Sequence, residues 1–376
     1  MSQRALISTT VLFFFSAFLF LLMVFSDRSL PSFLWVSFKV LYVIGLHYMV
    51  LWFLFTRFLG ASRASTVLVN LSIAMTMTFL LLIGAEFALR FAFRDVTTSP
   101  DNVSYFSTKW LKAVHYNHLG FRERDFDQKK PHGTYRIAVI GDSLAYGQGI
   151  REEDRFSNQL EERLNGKSRR KYQVLNFALP GANTPDELEF LTRSVLISDP
   201  DFILLQWYIN DPEGSDTSEA PRQLTIIPPS LRHNSALFYL VHKELGDIQD
   251  RIGWVQSYDR YMSARFGDPN SPASLKATVT MNMFIEICRN NKIPLGLVLF
   301  SESYFNRTSK LDFLLERMLG LCKEQGLRCV DTRNVLLPLQ GDPRLWASRF
   351  DPHPSALANR LVADRLLETF GDIWLR

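Results

Sequence analysis

The chain has 376 residues and a formal net charge of +4, and 47% of its residues are hydrophobic. That length and apolar content allow one or two domains with substantial cores, which excludes a disordered protein. Residues 1–95 hold seven basic and three acidic residues, so residues 96–376 are formally neutral. Because no basic soluble surface is expected, nucleic acid is not an expected partner.

Three apolar stretches occupy the N-terminal quarter of the chain. Residues 5–25 and 64–85 contain no charged residue, and residues 33–56 contain one, Lys39. Each stretch reaches the roughly 20 residues that cross a bilayer core. Arg4 precedes the first stretch as in a signal peptide, but no small-residue cleavage site follows it. We therefore expect residues 1–95 to form a three-helix transmembrane anchor, which excludes a wholly soluble protein.

The basic residues between these stretches bear on their orientation. A cytoplasmic N-terminus leaves Arg4, Arg57 and Arg63 inside, in line with the positive-inside rule, although Arg90 and Arg94 then lie outside. Three crossings from that start place residues 96–376 on the outer side of the membrane. Arg90 also follows Glu86 by four residues, the spacing of a helical ion pair.

After residue 95 the pattern changes to that of a mixed α/β domain. Residues 96–134 are polar and irregular, and we expect a linker with a short cap. The predicted strands are residues 135–140, 172–177, 201–208, 293–300 and 327–331. The predicted helices are residues 153–164, 273–290, 311–325 and 355–370, with another beginning at Thr184 as its cap. This alternation predicts a five-stranded parallel sheet over residues 135–376, with an insertion at 212–271.

The three cysteines form no C-x-x-C pair, so a zinc site is not expected. A single bridge between Cys322 and Cys329 stays open if the domain is exported. The preferred interpretation is that these two and Cys288 are small buried hydrophobic residues. No metal and no cofactor are expected.

Residues of chemical interest follow the carboxyl ends of the predicted strands, where parallel sheets carry their active groups. Ser143 follows the first strand, Gly181 the second and Asn210 the third, and Asp351 and His353 precede the last helix. A serine nucleophile needs a neighbouring base, for which His353 is the candidate. Asp351, two residues earlier in an extended segment, would point to the same side and orient the imidazole. The amides of Ser143, Gly181 and the Asn210 side chain would form an oxyanion hole.

In this order the segments resemble the sequence blocks of the SGNH (GDSL-type) hydrolase superfamily. Gly141-Asp142-Ser143 is similar to the nucleophile block, and the Gly181 segment to the second block. Asn210-Asp211 is similar to the third block and Asp351 with His353 to the last. The resemblance implies a flavodoxin-like five-stranded sheet, the SGNH fold, with an inserted cap region.

Two positions depart from the family pattern. Tyr208 stands where the third block usually begins with glycine. The acid lies two rather than three residues before the histidine, as in relatives of alginate acetylation proteins. The segment Asn117–Arg122 is similar to one found ahead of this domain in membrane-attached bacterial members. The resemblance therefore implies a multi-pass protein of the bacterial inner (cell) membrane with its catalytic domain on the periplasmic or extracellular side.

These features predict a membrane-anchored serine esterase or O-acyltransferase with a Ser-His-Asp acyl-enzyme mechanism. The resemblance implies O-acyl, often O-acetyl, esters of envelope or exported glycans as substrates, as in polysaccharide acetylation. A transferase would need an acyl donor, for which a separate membrane protein is the candidate partner. The alternatives are a lipid-directed esterase or lysophospholipase, and a non-catalytic envelope protein that binds a glycan or another protein.

Overall fold

The computed structural model describes residues 3–25, 30–100, 104–214, 225–304 and 309–376. The chain divides into two compact units. Among the described residues, unit 1 comprises those up to Asp95 together with 104–105 and 225–245, and unit 2 comprises the others. The parts of the predicted linker and insertion at 101–103 and 215–224 lie outside the described residues.

Unit 1 is built on three long helices: α1 (Gln3–Val24), α2 (Leu30–Leu59) and α3 (Ala61–Ala92). All three are long and apolar enough to span a membrane, as predicted. The break between the last two falls at Gly60, whose φ of 78° favours glycine.

A second part of unit 1 packs around a buried carboxylate in α3. Glu86 forms the predicted ion pair with Arg90, whose Nε donates to Oε1 at 2.7 Å. Glu86 also accepts hydrogen bonds from Ser235 Oγ at 2.7 Å and from the backbone amides of Ala236 and Leu237 at 2.9 and 2.8 Å. Ser235 lies between helices α8 (Pro229–Asn234) and α9 (Ala236–Arg251), and Ala236 and Leu237 are the first two residues of α9. The glutamate therefore binds the amino end of α9 to α3.

Unit 2 contains the predicted parallel sheet. Its strands are β1 (Thr134–Gly141), β2 (Lys171–Ala178), β3 (Phe202–Trp207), β4 (Leu295–Leu299) and β5 (Arg328–Asp331). Their order is β2-β1-β3-β4-β5 and every pairing is parallel, which is the flavodoxin-like arrangement. The prediction of a five-stranded α/β sheet is confirmed.

The helices of unit 2 alternate with these strands. They are α4 (Thr108–Lys112), α5 (Ser143–Tyr146), α6 (Phe156–Lys167), α7 (Thr184–Phe190), α10 (Tyr258–Phe266), α11 (Pro272–Asn290), α12 (Asp312–Gln325), α13 (Arg333–Leu336) and α14 (Ala356–Trp374). The cap of α7 is Asn183 rather than the predicted Thr184. Asn183 and Asp186 exchange side chain-to-backbone hydrogen bonds, so a capping box starts this helix one residue earlier.

The core of unit 2 has one apolar layer on each face of the sheet. Ile137 and Val139 of β1 face the layer formed with α6 and α14, and Ala138 and Ile140 face the layer formed with α11 and α12. Residues of the predicted linker also contribute, because buried Trp110 joins the first layer and buried Phe121 the second.

Two further features of unit 2 differ from the sequence prediction. A small antiparallel pair, β6 (Trp346–Ser348) and β7 (Asp351–Pro354), was not predicted, because its strands are too short to show a period. Cys322 and Cys329 form a disulfide, so the interpretation of these two as free cysteines is wrong, and only Cys288 is free. The left-handed turn at Gly326 after α12 brings the two cysteines together, and strand and helix periodicity does not encode such a turn.

Candidate active site

Ser143 lies where β1 turns into the one-turn helix α5. The preceding Asp142 caps this helix, since its Oδ1 accepts a hydrogen bond from Leu144 N at 2.8 Å. Gly147 ends the helix in the left-handed conformation, with φ of 72°. The serine is thus held on a tight turn at the carboxyl end of the central part of the sheet, half-buried.

A neighbouring strand fixes the backbone of this turn. Gln206 of β3 accepts hydrogen bonds at Oε1 from the backbone amides of Asp142 and Ala145, each at 3.1 Å. Gly141 leaves the space for that side chain, because a Cβ at this position would overlap it. Gln206 therefore holds both ends of the turn that carries Ser143.

His353 connects Ser143 to Asp351. Its Nε2 lies 2.9 Å from Ser143 Oγ, and its Nδ1 lies 2.5 Å from Asp351 Oδ1. Asp351 Oδ1 also accepts the backbone amide of His353 at 3.1 Å. Because Nδ1 faces a carboxylate, it carries the proton, which leaves Nε2 to accept from the serine hydroxyl. Both residues belong to the extended strand β7, so their side chains share one side as the spacing predicts.

The second oxygen of Asp351 has a partner that sequence reasoning missed. Thr98 Oγ1 donates a hydrogen bond to Asp351 Oδ2 at 2.6 Å, and both side chains are buried. Thr98 belongs to the segment predicted as a linker. No sequence motif identifies Thr98 as part of the site, and Thr98 lies 253 residues from Asp351 in the chain.

Gly181 and Asn210 lie at the same edge of the sheet as Ser143. Gly141 of β1 is in register with Ala178, three residues before Gly181. Gly181 is exposed and has φ of 78°, so glycine suits its backbone conformation. Asn210 follows β3. Its side chain favours the charged form of the Asp142 carboxyl group, which partly offsets the rise in pKa caused by burial.

Three carboxyl groups are buried beneath this edge: Asp142, Glu187 and Asp211. Burial raises the pKa of Asp142 to about 6, against the effect of its hydrogen bond with Leu144 and of the nearby His353. Burial and mutual repulsion raise the pKa values of Glu187 and Asp211 well above the usual range. Neither oxygen of the Glu187 carboxyl group has a hydrogen-bond partner among the described residues. These shifts favour the neutral forms of Glu187 and Asp211, whereas Asp142, with a pKa of about 6, is mainly ionised at neutral pH. Within the described ranges, no group of three acidic, histidine or cysteine side chains is placed to hold a metal ion.

A buried arginine closes the loop that follows the nucleophile turn. Arg122 donates from Nη1 to the carbonyls of Tyr146 and Gly147 and from Nη2 to that of Ile150, at 2.7 to 3.1 Å. Burial, with repulsion from Arg155, lowers the pKa of Arg122 to about 10, so it stays charged at neutral pH. The Asn117–Arg122 segment thus supports the backbone next to Ser143.

Comparison with protein-family models assigns the domain that carries this site. Residues 139–361, more than half of the chain, match the GDSL-like Lipase/Acylhydrolase family. The chain belongs to this family. The match includes Ser143, Gly181, Asn210, Asp351 and His353, whereas Thr98 and the three apolar helices lie outside it. Family membership, together with the sheet order, confirms the predicted fold.

Solved structures with detectable similarity include several members of the GDSL family and related esterases. A putative lipolytic G-D-S-L protein from Desulfitobacterium hafniense DCB-2 is 14% identical, covers 62% of this chain and 98% of its own, and has a TM-score of 0.39. An acetylxylan esterase from Geobacillus stearothermophilus is 14% identical, with coverages of 64% and 96% and a TM-score of 0.39. A lipase/acylhydrolase from Enterococcus faecalis is 14% identical, with coverages of 63% and 96% and a TM-score of 0.36. The search of curated proteins gave no match.

Proposed function

We propose that this GDSL-family protein is a membrane-anchored serine esterase or O-acyltransferase that works through an acyl-enzyme on Ser143. The observation that carries the proposal is the hydrogen-bonded series from Ser143 Oγ through His353 to Asp351. A hydroxyl, a base and an orienting acid in contact are the groups that acyl transfer requires.

In the first half of the reaction, Ser143 Oγ attacks the ester carbonyl while His353 Nε2 takes the hydroxyl proton. Asp351 holds the imidazole in the required tautomer and stabilises the imidazolium that forms. The alcohol then leaves with the proton from Nε2, and the acyl group remains on Ser143. In the second half, His353 takes a proton from water or from a sugar hydroxyl, which attacks the acyl-enzyme. The bond between the acyl group and Ser143 Oγ then breaks, and His353 Nε2 returns the proton to Oγ. Water completes a hydrolase cycle and a sugar hydroxyl a transferase cycle.

The tetrahedral intermediates carry a negative oxygen that needs hydrogen-bond donors. We assign this role to the backbone amides of Ser143 and Gly181 and to the side-chain amide of Asn210. Loss of one such donor costs about 3 kcal/mol of transition-state stabilisation.

The proposed substrates are O-acyl, principally O-acetyl, esters of envelope or exported glycans. The three apolar helices support this class, because a membrane anchor keeps an enzyme beside polymers that are made or exported there. If the physiological reaction is acyl transfer, a membrane protein that supplies the acyl group is the proposed partner.

The second candidate is a lipid-directed esterase, and an apolar cavity favours it. The cavity has a volume of about 250 Å³ and lies among α7, α11 and α12, in unit 2. Trp207, Met281 and Met318 are among its lining residues, and Thr184 and Pro212 lie near the carboxyl edge of the sheet. Such a cavity is suited to an acyl chain longer than acetyl.

We also propose that unit 2 lies on the periplasmic or extracellular side of the bacterial inner membrane. An odd number of crossings from a cytoplasmic start leads to that side. The disulfide between Cys322 and Cys329 supports it, because structural disulfides persist in oxidising compartments.

Hydrolysis of a series of p-nitrophenyl esters, from acetyl to palmitoyl, by the full chain in detergent micelles tests the proposal. Ser143→Ala is the test variant, and Ser263→Ala, an exposed serine on α10, is the matched control. We expect turnover by the wild type and by Ser263→Ala and none above background by Ser143→Ala. Serine-independent turnover, or none from the folded wild type, contradicts the proposal.

The chain-length profile and an added acceptor separate the two candidates. Preference for acetyl, with transfer of acetyl to a soluble oligosaccharide detected by mass spectrometry, supports the glycan reaction. Preference for long chains that is lost in Met281→Trp, with acetyl turnover kept, supports the lipid reaction.

A further inference from the structure

We propose that Thr98 is a positioning residue for the Ser143–His353–Asp351 site, so that the segment following α3 is part of the active site. The role in catalysis rests on the proposed function. The contact itself lies within unit 2 and outside the residues that match the family.

The two oxygens of Asp351 have different partners. Oδ1 accepts the backbone amide and Nδ1 of His353, at 3.1 and 2.5 Å. Oδ2 accepts the Thr98 hydroxyl at 2.6 Å, a short hydrogen bond to a charged acceptor. Asp351 is 1% exposed and Thr98 fully buried, so water cannot readily replace this donor. Thr98 therefore fixes the carboxylate plane, and through it the direction in which Oδ1 faces the imidazole.

Thr98 is itself held from two sides. Its carbonyl accepts a hydrogen bond from Ser348 Oγ of β6 at 2.7 Å. The next two carbonyls, of Ser99 and Pro100, accept Gln148 Nε2 at 3.3 and 3.1 Å. The segment 98–100 thus connects the strand pair that carries His353 to the loop that follows Ser143.

Gly149 shows how closely this loop approaches the segment. A Cβ at Gly149 would lie 2.6 Å from Thr98 Cγ2, and its φ of 81° favours glycine. Close packing with hydrogen bonds on both sides leaves the Thr98 hydroxyl one orientation, toward Asp351. This preorganisation distinguishes a positioning residue from a threonine that only fills space.

The test compares Thr98→Val with Thr98→Ser in the full chain in detergent micelles. Valine keeps the shape and removes the hydroxyl, whereas serine keeps the hydroxyl. The rate of p-nitrophenyl acetate hydrolysis is divided by the concentration of sites titrated with a fluorophosphonate, so that unfolded protein does not count. We expect Thr98→Val to lower kcat per titrated site roughly 10- to 100-fold with KM unchanged, as for a displaced catalytic group. Thr98→Ser should stay within about threefold of the wild type. A Thr98→Val variant with wild-type kcat per site overturns the proposal.

A second readout requires no turnover. In protein labelled with ¹⁵N-histidine, the Nδ1 proton of His353 shared with Asp351 gives a far-downfield ¹H resonance. We expect this resonance to be the same in the wild type and Thr98→Ser and to move upfield or exchange away in Thr98→Val. If no ester is hydrolysed but the resonance responds in this way, the proposed function fails while the positioning contact stands. If the resonance is unmoved in Thr98→Val, the positioning role is overturned.

Ser348→Ala covers the case in which Thr98→Val does not fold. It removes the hydrogen bond to the Thr98 carbonyl and keeps the threonine hydroxyl. A smaller shift of the same resonance, with folding retained, supports the proposal. An unchanged resonance contradicts it.

Discussion

At the scale of single residues, Asp142 caps the helix that carries Ser143, and its carboxyl group is buried. A buried carboxylate is unfavourable in a medium of low polarity, so the pKa of Asp142 rises to about 6. The folded protein therefore binds this proton more tightly than the unfolded chain does.

This shift predicts a pH dependence of the free energy of unfolding. Between the unfolded pKa of 3.8 and the folded value of about 6, the folded state holds more protons, so stability falls as pH rises through that window. Asp142→Asn keeps the capping oxygen and removes the titration, so the stability lost between pH 4 and 6 should shrink, by at most about 3 kcal/mol. Thermal unfolding of the full chain at several pH values measures this. The exposed Asp127→Asn is the control, and an equal slope in wild type and Asp142→Asn would contradict the assignment.

Glycine substitutions separate backbone strain from displacement of Thr98. Gly120 and Gly149 have φ values of 85° and 81°, but only at Gly149 would a Cβ contact Thr98. Each alanine variant should lose roughly 1 kcal/mol of stability from strain. Gly149→Ala should lose more, and its kcat for p-nitrophenyl acetate should fall, whereas Gly120→Ala should keep wild-type kcat. Equal kcat values in the two variants would count against a precise role for Thr98.

Much of the candidate site follows from the sequence, for a simple reason. Ser143, Gly181 and Asn210 come directly after strands, and the carboxyl ends of parallel strands meet at one edge. Asp351 and His353 alternate along an extended segment. Thr98 and Gln206 could not be predicted as partners, because their contacts depend on tertiary packing between distant segments. Hydrogen bonds between such distant segments leave no periodic pattern in the sequence.

At the scale of elements, the edge strand β5 is tied to the helix before it. The disulfide joins Cys322 near the end of α12 to Cys329 in β5 across a short loop. The spacing of the two cysteines in the sequence allows this disulfide but does not require it, because the turn at Gly326 determines whether the side chains meet.

The double variant Cys322→Ser/Cys329→Ser should lose about 2–3 kcal/mol of unfolding free energy, the entropic contribution of so short a loop.

The cell-derived wild type, denatured without reductant, should react with one equivalent of a thiol reagent, at Cys288. After reduction it should react with three. Three reactive thiols before reduction would contradict both the disulfide and the proposed oxidising compartment.

The element α9 depends on a carboxylate in α3. Glu86 accepts two backbone amides at the amino end of α9, a position where negative charge is favourable. Glu86→Ala leaves these amides and Arg90 without this partner in a buried place, which should cost roughly 3 kcal/mol of local stability. Hydrogen exchange of Ala236 and Leu237 should therefore accelerate in Glu86→Ala, and less in Glu86→Gln, which keeps one acceptor oxygen. Unchanged exchange in Glu86→Ala would show that the carboxylate does not hold α9.

At the scale of the whole molecule, the chain combines three apolar helices with a GDSL-family domain. The apolar helices follow directly from the length and composition of the apolar stretches, and the parallel sheet follows from strand and helix alternation. The flavodoxin-like arrangement of that sheet was implied by the family resemblance. The grouping of residues 225–245 with the apolar helices could not be read from the sequence. It depends on the buried Glu86 with its partners and on the packing of Leu231 and Phe238 against the apolar cluster of α1, rather than on any local pattern.

Labelling with a fluorophosphonate, followed by peptide mass spectrometry, tests the central claim that Ser143 is an activated nucleophile. The full chain in detergent micelles should gain one phosphonyl group, on the peptide that contains Ser143. Ser143→Ala should gain none, and His353→Ala should react at least roughly 1,000-fold more slowly because the base is absent. An unlabelled Ser143 in folded wild-type protein, or equal labelling of Ser143→Ala, would contradict the account.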